Sequence, residues 1–187
     1  MLLCQIQRGR GRRGSAIVEA ALTLTVFSLL LFGIFEYCRY LFVLHVTNLA
    51  AREGVRYAAV NTDKPTNFDT VDYTDAAGRT YTNILAYTKN RLAGTDNQIV
   101  GYQAAVYAVD SVGLTLATPV IRPKSKSAST YPDPFNASDT NKVSWNAAGF
   151  PDRLAVQIRG TFRPFLPNVT LMPNLPVNVI SLTGVEG

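Results

Sequence analysis

The chain has 187 residues, 47% of them hydrophobic and 17% charged, a length that allows one domain and an anchor. Its formal net charge of +5 falls to +1 without residues 1–14, which hold four arginines and no acid. Because the remainder is nearly neutral, the composition argues against nucleic acid or anionic lipid as a partner of the folded part.

An apolar segment follows the basic residues. From Ser15 to Phe35 it contains 21 residues and a single charged side chain, Glu19. As a helix this segment would be about 30 Å long, the thickness of a bilayer core. Arginines on its N-terminal side are typical of a cytoplasmic N-terminus. The pattern predicts a cytoplasmic leader at 1–14 and a single transmembrane helix at 15–37.

Glu19 is unusual because a comparable acid at the centre of a membrane helix costs about 2.5–3.5 kcal/mol. Either Glu19 lies near the cytoplasmic interface and is solvated there, or it has a partner. If the chain is cut after Gly14, Ser15 carries a new α-amino group one helical turn before Glu19. That amine could neutralise the carboxylate within one chain or between neighbouring chains.

The first helix is predicted to continue beyond the membrane. Residues 36–60 contain no proline and one glycine, Gly54, and residues with high helix propensity predominate. A continuous helix from Ser15 to Ala59 would be about 68 Å long. Its outer part, residues 38–60, is predicted to form the spine of an outer domain, and the turn residues of 61–65 to end the helix.

Side-chain spacing on this outer part indicates its faces. Glu36 and Arg39 have the i, i+3 spacing of a helical ion pair. Arg52 and Arg56 lie one turn apart on another face. One further face is predicted to carry Phe42, Val46, Leu49 and Glu53.

The outer domain, residues 61–187, is predicted to be α+β. The spacing of apolar residues predicts a second helix at Tyr73–Ala93, with Asp72 or Asp75 as its N-cap and Gly94 after its end. Because strands cannot leave an apolar face in water, we expect the long N-terminal helix to pack on a small antiparallel sheet.

Alternating apolar residues predict the strands of that sheet. One strand is predicted from Gln98 onward, with Val112–Val120 as its hairpin partner, and others at Arg153–Phe162 and Val177–Leu182. Residues 122–151 are rich in Pro, Ser, Asn, Asp and Lys, which predicts a long exposed loop. Trp145 in this loop is a candidate contact for a partner.

No constellation of residues predicts catalysis or a metal site. His45 is the only histidine, and the aspartates near residues 63–75 lack the spacing of a calcium-binding loop. Cys4 and Cys38 are predicted to lie on opposite sides of the membrane, where they cannot form an intrachain disulfide. We expect no enzymatic activity, cofactor or metal.

The N-terminal segment resembles a type IV prepilin processing site, with a basic leader, Gly14 before the cut and Glu19 as residue five after it. Two later motifs, at 33–39 and 48–59, are similar to those of the TadE-like family, the minor pilins or pseudopilins of the tight-adherence (Flp-type) pilus. The resemblance covers residues 10–60, with a weaker similarity at 162–167. The matching motif residues are Glu36, Arg39, Arg52, Glu53, Gly54 and Arg56.

The chain departs from the family pattern at two places. Ala20 follows Glu19 where an aromatic residue is common, and the apolar segment contains Thr23 and Thr25 but no proline. Neither departure removes Glu19, although both bear on how efficiently the leader would be processed.

The resemblance implies a pilin-like fold and a role in pilus assembly and adhesion. It implies that a prepilin peptidase cuts between Gly14 and Ser15. We hypothesise that the Ser15 amine then pairs with Glu19 of an adjacent subunit. It places the protein in the bacterial inner membrane with its C-terminal domain in the periplasm, among other pilins and assembly proteins, and leaves incorporation in an extracellular pilus open. The alternative is an uncleaved single-pass anchor that holds a periplasmic binding or scaffold domain.

Overall fold

The computed structural model describes residues 12–114, 121–127, 131–136, 139–148, 152–165 and 174–184. These residues form helices, short 3₁₀ turns and two antiparallel sheets, which confirms the α+β class. The elements are α1 (Arg12–Val60), β1 (Tyr73–Thr74), β2 (Thr80–Tyr81), α2 (Ile84–Arg91), β3 (Ile99–Val109), α3 (Ser111–Leu114), β4 (Arg153–Phe162) and β5 (Leu175–Gly184), with 3₁₀ turns at Thr66–Asp69, Thr95–Gln98 and Trp145–Ala147.

Helix α1 is continuous over 49 residues, as its composition predicts. Its N-terminal half exposes its side chains, and among the described residues it is the one helix long and apolar enough to cross a membrane. Its outer half is partly buried and forms the spine of the domain. The helix ends in a turn at Asn61, whose main-chain N–H donates to the Ala58 carbonyl oxygen (3.1 Å), just before Pro65.

The face of α1 that packs on the domain is not the one that carries Phe42 and Leu49. Phe42 and Leu49 are more than half exposed, whereas the buried positions from Val43 onward carry small or β-branched side chains. Small side chains allow the helix and the sheet to approach closely, which large ones on that face would prevent. The buried set is Val43, Thr47, Ala50, Ala51, Gly54, Val55 and Ala58.

The main sheet has the strand order β3-β4-β5, with every neighbouring pair antiparallel. Helix α1 covers one face. On the opposite face, Tyr107 and Ala155 pack against side chains that include Ile121 and Phe135. Because both faces are covered, the strands contain nearly continuous apolar runs rather than simple alternation. A bulge at Gly101, with φ of 67°, shifts the register of β3.

The predicted helix at Tyr73–Ala93 is wrong in its first half, where the chain forms the β1–β2 hairpin instead. The Asp75 carboxylate accepts the main-chain N–H groups of Ala77 and Arg79, each at 2.9 Å, and the Arg79 Nε–H at 2.7 Å. These bonds lower the pKa of Asp75, the Arg79 main-chain bond being the largest cause. An aspartate that satisfies a turn in this way competes with helix formation.

The second half of that prediction is confirmed by α2, but its cap is a different residue. Asn83 is the N-cap, and its side-chain oxygen accepts the Ala86 N–H at 2.7 Å. Asp72, one of the two predicted caps, instead accepts the main-chain N–H of Asn83 at 2.8 Å. Gly94 follows the helix in a left-handed conformation, as predicted.

Two predictions for residues 112–151 are wrong at the residues that the structure describes. The start of the expected hairpin partner at Val112–Val120 is helical, in α3, while residues 115–120 lie outside the described part of the chain. Trp145 is 3% exposed and packs in the core on the Phe68 ring, with 6.5 Å between ring centroids. Its indole N–H donates to the Thr66 carbonyl oxygen at 2.8 Å, so Trp145 is not an exposed contact for a partner.

Strand β3 carries two tyrosines, Tyr102 and Tyr107, whose hydroxyl groups differ in their hydrogen bonding. Among the described residues, the Tyr102 hydroxyl is buried without a hydrogen-bond partner, and burial with a smaller effect of Asp96 raises its pKa to about 12. The Tyr107 hydroxyl donates to Gln157 Oε1 at 3.2 Å. Leaving a buried polar group unsatisfied costs free energy, whereas a satisfied one contributes to stability.

We therefore expect Tyr102→Phe and Tyr107→Phe to have opposite effects. Tyr102→Phe should leave the free energy of unfolding unchanged or raise it by about 1 kcal/mol, and Tyr107→Phe should lower it by about 1 kcal/mol. Thermal unfolding of the full chain in detergent, followed by Trp145 fluorescence, measures both. An equal loss of unfolding free energy in the two variants would contradict the view that only the Tyr107 hydroxyl has a hydrogen-bond partner.

Candidate functional site

The residues of the predicted processing site lie in the first turns of α1. Gly14, Ser15 and Glu19 are exposed, and Ser15 precedes Glu19 by one helical turn. Nearby, the hydroxyls of Thr23 and Thr25 donate to main-chain carbonyl oxygens four residues earlier, at 2.9 and 2.8 Å. Their hydrogen bonds are thus satisfied inside the helix, which makes these threonines tolerable in an apolar segment.

Beyond Glu19, α1 presents large apolar side chains on all sides up to Phe35. Most of them are about half exposed or more, because the domain does not cover this part of the helix. Such a surface requires lipid or another apolar helix around it. It comprises Leu22, Leu24, Val26, Phe27, Leu29, Leu30, Leu31, Phe32, Ile34 and Phe35.

The structure confirms the predicted ion pair at the start of the outer part of α1. Arg39 Nη1 donates to Glu36 Oε1 at 3.0 Å and to Oε2 at 3.2 Å. Although it carries a charge, Glu36 is only 4% exposed. Its carboxylate also accepts the main-chain N–H of Phe165, which lies 129 positions later, at 2.9 Å.

Arg39 links the same carboxylate to the rest of the domain. Its Nε–H donates to Gln98 Oε1 at 3.2 Å, and its guanidinium carbon lies 5.1 Å from the centroid of the Phe162 ring. We call Glu36, Arg39, Gln98, Phe162 and Phe165 the membrane-proximal cluster. It is the point where the apolar helix enters the folded domain.

The predicted site residues include two of the five members of this cluster, Glu36 and Arg39. The local spacing of Glu36 and Arg39 predicts their pairing, but Gln98 and Phe165 were not among the predicted site residues. The one available signal was the similarity of residues 162–167 to the final strands of the family. That similarity says nothing about the contact partner of Phe165.

The remaining predicted motif residues separate into one buried and three outer positions. Gly54 is buried against Thr88 of α2. Arg52 is exposed, and Arg56 Nη1 lies 3.8 Å from Glu53 Oε1, with side-chain exposures of 75% and 37%. An ion pair as exposed as Glu53–Arg56 contributes little to stability. We call Arg52, Glu53 and Arg56 the outer polar face of α1.

Residues 14–56 match the family model described as TadE-like protein. The chain carries a TadE-like segment. This segment runs from the predicted processing site, through the apolar surface and the Glu36–Arg39 pair, to the outer polar face. No curated protein and no solved structure gave a significant match.

This match confirms the resemblance seen in the two sequence motifs, over residues 14–56. It supports a role in the tight-adherence pilus system, whose TadE-like pilins are structural rather than enzymatic proteins. Together with the long apolar helix α1, it indicates a membrane-anchored protein with membrane and pilus partners.

Proposed function

We propose that this protein is a minor pilin, or pseudopilin, of a tight-adherence-type pilus. In this proposal a prepilin peptidase removes residues 1–14, and the mature protein assembles with other pilins and assembly proteins. The observation that carries the proposal is the TadE-like match over residues 14–56, which begins at the predicted cleavage position.

The exposure of α1 supports the proposed topology. Its first half is uncovered over about one bilayer thickness, and its second half is packed into the domain. The arginines before the apolar half favour a cytoplasmic N-terminus. The α+β domain then lies in the periplasm of the bacterium, and the anchor lies in the inner membrane.

Glu19 has the role of an assembly residue in this proposal. Cleavage after Gly14 would create an α-amine on Ser15, and both Ser15 and Glu19 are exposed in the single chain, where a neighbouring subunit could reach them. When apolar helices bundle, pairing of that amine with the carboxylate removes two unpaired charges from a medium of low dielectric constant. The exposed apolar side chains of α1 supply the packing area.

The N-terminal residue of the mature protein tests the proposed processing. We expect the chain, expressed with a tight-adherence prepilin peptidase, to begin at Ser15 when the intact mass is measured. Gly14→Asp should leave the precursor uncut, heavier by the 14 leader residues. A wild-type chain that keeps its leader in these cells would contradict the proposal and favour the uncleaved anchor.

Glu19→Ala separates processing from assembly in the same experiment. This variant should be cut normally but should fail to enter the pilus or its assembly complex, because the Ser15 amine has lost its partner. Asp63→Ala is the control, since Asp63 is an exposed acid that follows α1 and lies outside the matched residues 14–56. Unchanged incorporation of Glu19→Ala would contradict the charge-pairing role.

A further inference from the structure

The membrane-proximal cluster lies at a depth that α1 itself determines. Glu36 follows Ser15 by 21 positions, a helical distance of about 32 Å, compared with about 30 Å for a bilayer core. If Ser15 lies at the inner boundary of the hydrocarbon, Glu36 lies at the outer one. The hydrogen bond from the Phe165 N–H to Glu36 Oε1 places the main chain after β4 at the same level.

Phe165 is exposed beside the membrane side of the ion pair. Its side chain is 77% exposed, although the preceding Pro164 is buried. Together with Phe32 and Phe35 of α1 it lines a groove of about 500 Å³, whose polar end is formed by Glu36, Arg39 and Gln98. Phe32 lies one helical turn closer to the membrane centre than Glu36, so the groove extends below the ion pair.

The groove therefore has an apolar end continuous with the anchor helix and a polar end toward the domain. The polar groups at that end already bond to each other, which leaves no charge that requires an ionic ligand. Large apolar side chains beside an anchoring helix are typical of residues that enter the boundary between headgroups and acyl chains. Water around three phenylalanine rings would be unfavourable by comparison.

We propose that Phe165 inserts into the outer leaflet beside Phe32 and Phe35, and that a lipid acyl chain occupies the groove. The domain thus contacts the bilayer at a second point, which limits how far α1 and the domain together can tilt relative to the membrane. Because the contact is apolar and the chain without residues 1–14 is nearly neutral, anionic lipid is not required. The proposal rests on α1 as a membrane span, and not on cleavage or pilus assembly.

Quenching by brominated lipid tests this contact in the full chain. We use Trp145→Phe as the background, add Phe165→Trp, and reconstitute the protein in phosphatidylcholine nanodiscs with brominated acyl chains. We expect the emission of the new tryptophan to shift to shorter wavelength and to fall at least about twofold, at low and high salt alike. Val71→Trp in the same background is the control, because Val71 is exposed beyond the far end of α1 and should not be quenched.

Two results would overturn the proposal. One is a tryptophan at 165 that aqueous iodide quenches and brominated lipid does not. The other is equal quenching at 165 and 71, which would mean that the whole domain lies on the bilayer. Leu29→Trp, in the apolar half of α1, reports the span separately, since it should be quenched whether or not Phe165 inserts.

A second measurement keeps Trp145 in place, in case Trp145→Phe disturbs the fold. A nitroxide is attached to Phe165→Cys in a chain with Cys4 and Cys38 replaced by serine. Oxygen, which concentrates in the bilayer, should enhance the electron-spin relaxation of this nitroxide more than a water-soluble nickel chelate does. The reverse order would overturn the proposal. Because these experiments use the chain alone, a failure here leaves the processing and assembly results intact, and the reverse also holds.

Discussion

Glu36→Gln should lower the free energy of unfolding of the outer domain by about 2–3 kcal/mol. The substitution preserves volume but removes the charge that accepts two hydrogen bonds from Arg39 and one from the Phe165 N–H. The glutamine amide also places an N–H donor where the carboxylate accepted hydrogen bonds from Arg39 and from the Phe165 N–H. The expected loss of unfolding free energy is smaller than for a fully buried ion pair, because the Arg39 side chain is 27% exposed to solvent.

The same helix provides a matched control for this prediction. Glu53 and Arg56 have the same i, i+3 spacing, but their closest atoms are 3.8 Å apart and both side chains are exposed. Glu53→Gln should therefore cost less than about 1 kcal/mol. Chemical unfolding of the full chain in detergent, followed by Trp145 fluorescence, measures both variants, since Trp145 is buried in the core. Similar losses in the two variants would show that the Glu36 contacts do not stabilise the domain.

Gly54→Ala should destabilise the domain by about 1–3 kcal/mol, although alanine has the higher helix propensity by about 1 kcal/mol. A Cβ atom at this position would collide with Thr88 Oγ1 and would lie 3.1 Å from Thr88 Cγ2. Thr88 is fully buried, and its hydroxyl donates to the Ile84 carbonyl oxygen at 2.8 Å, so its side chain has little room to move. The collision should therefore separate α2 from α1 or shift both helices.

A double variant and a second glycine make this prediction specific. Thr88→Ala removes the two colliding atoms, so Gly54→Ala with Thr88→Ala should recover part of the lost stability. Gly33→Ala is the control, because a Cβ at Gly33 meets no atom within 4 Å and should not destabilise the domain. Chemical unfolding of the full chain in detergent, followed by Trp145 fluorescence, measures these variants as well. Destabilisation that Thr88→Ala does not relieve would contradict the steric explanation.

Local features of the sequence predicted the helix, its motifs and most of the strands. The unbroken helix propensity of residues 15–60 predicted α1, and β4 has the predicted bounds Arg153–Phe162. The Glu36–Arg39 pair was predictable because partners three positions apart on a helix must be neighbours. In each case the interacting groups are close in sequence, so composition and spacing are sufficient.

The errors arose where a side chain satisfies a local turn or a distant contact. Residues 73–83 have apolar residues at helical spacing, yet Asp75 closes a hairpin turn there, and Tyr73 pairs with Tyr81 across β1 and β2. Trp145 lies in a polar segment typical of an exposed loop, but its ring fills the core beside Phe68. Periodicity could not distinguish these outcomes, because the deciding energies come from bonds and packing formed only after folding.

The sequence by itself determined an apolar helix of membrane length, the TadE-like motifs on it and an α+β domain beyond it. Only the tertiary structure decided which face of α1 is buried, which residue lies against Gly54 and how Glu36 is satisfied. The last of these depends on Phe165, which lies 129 positions away. Residue spacing predicts neighbours within one helix or strand, whereas contacts between elements depend on how the whole chain packs to bury its apolar surface.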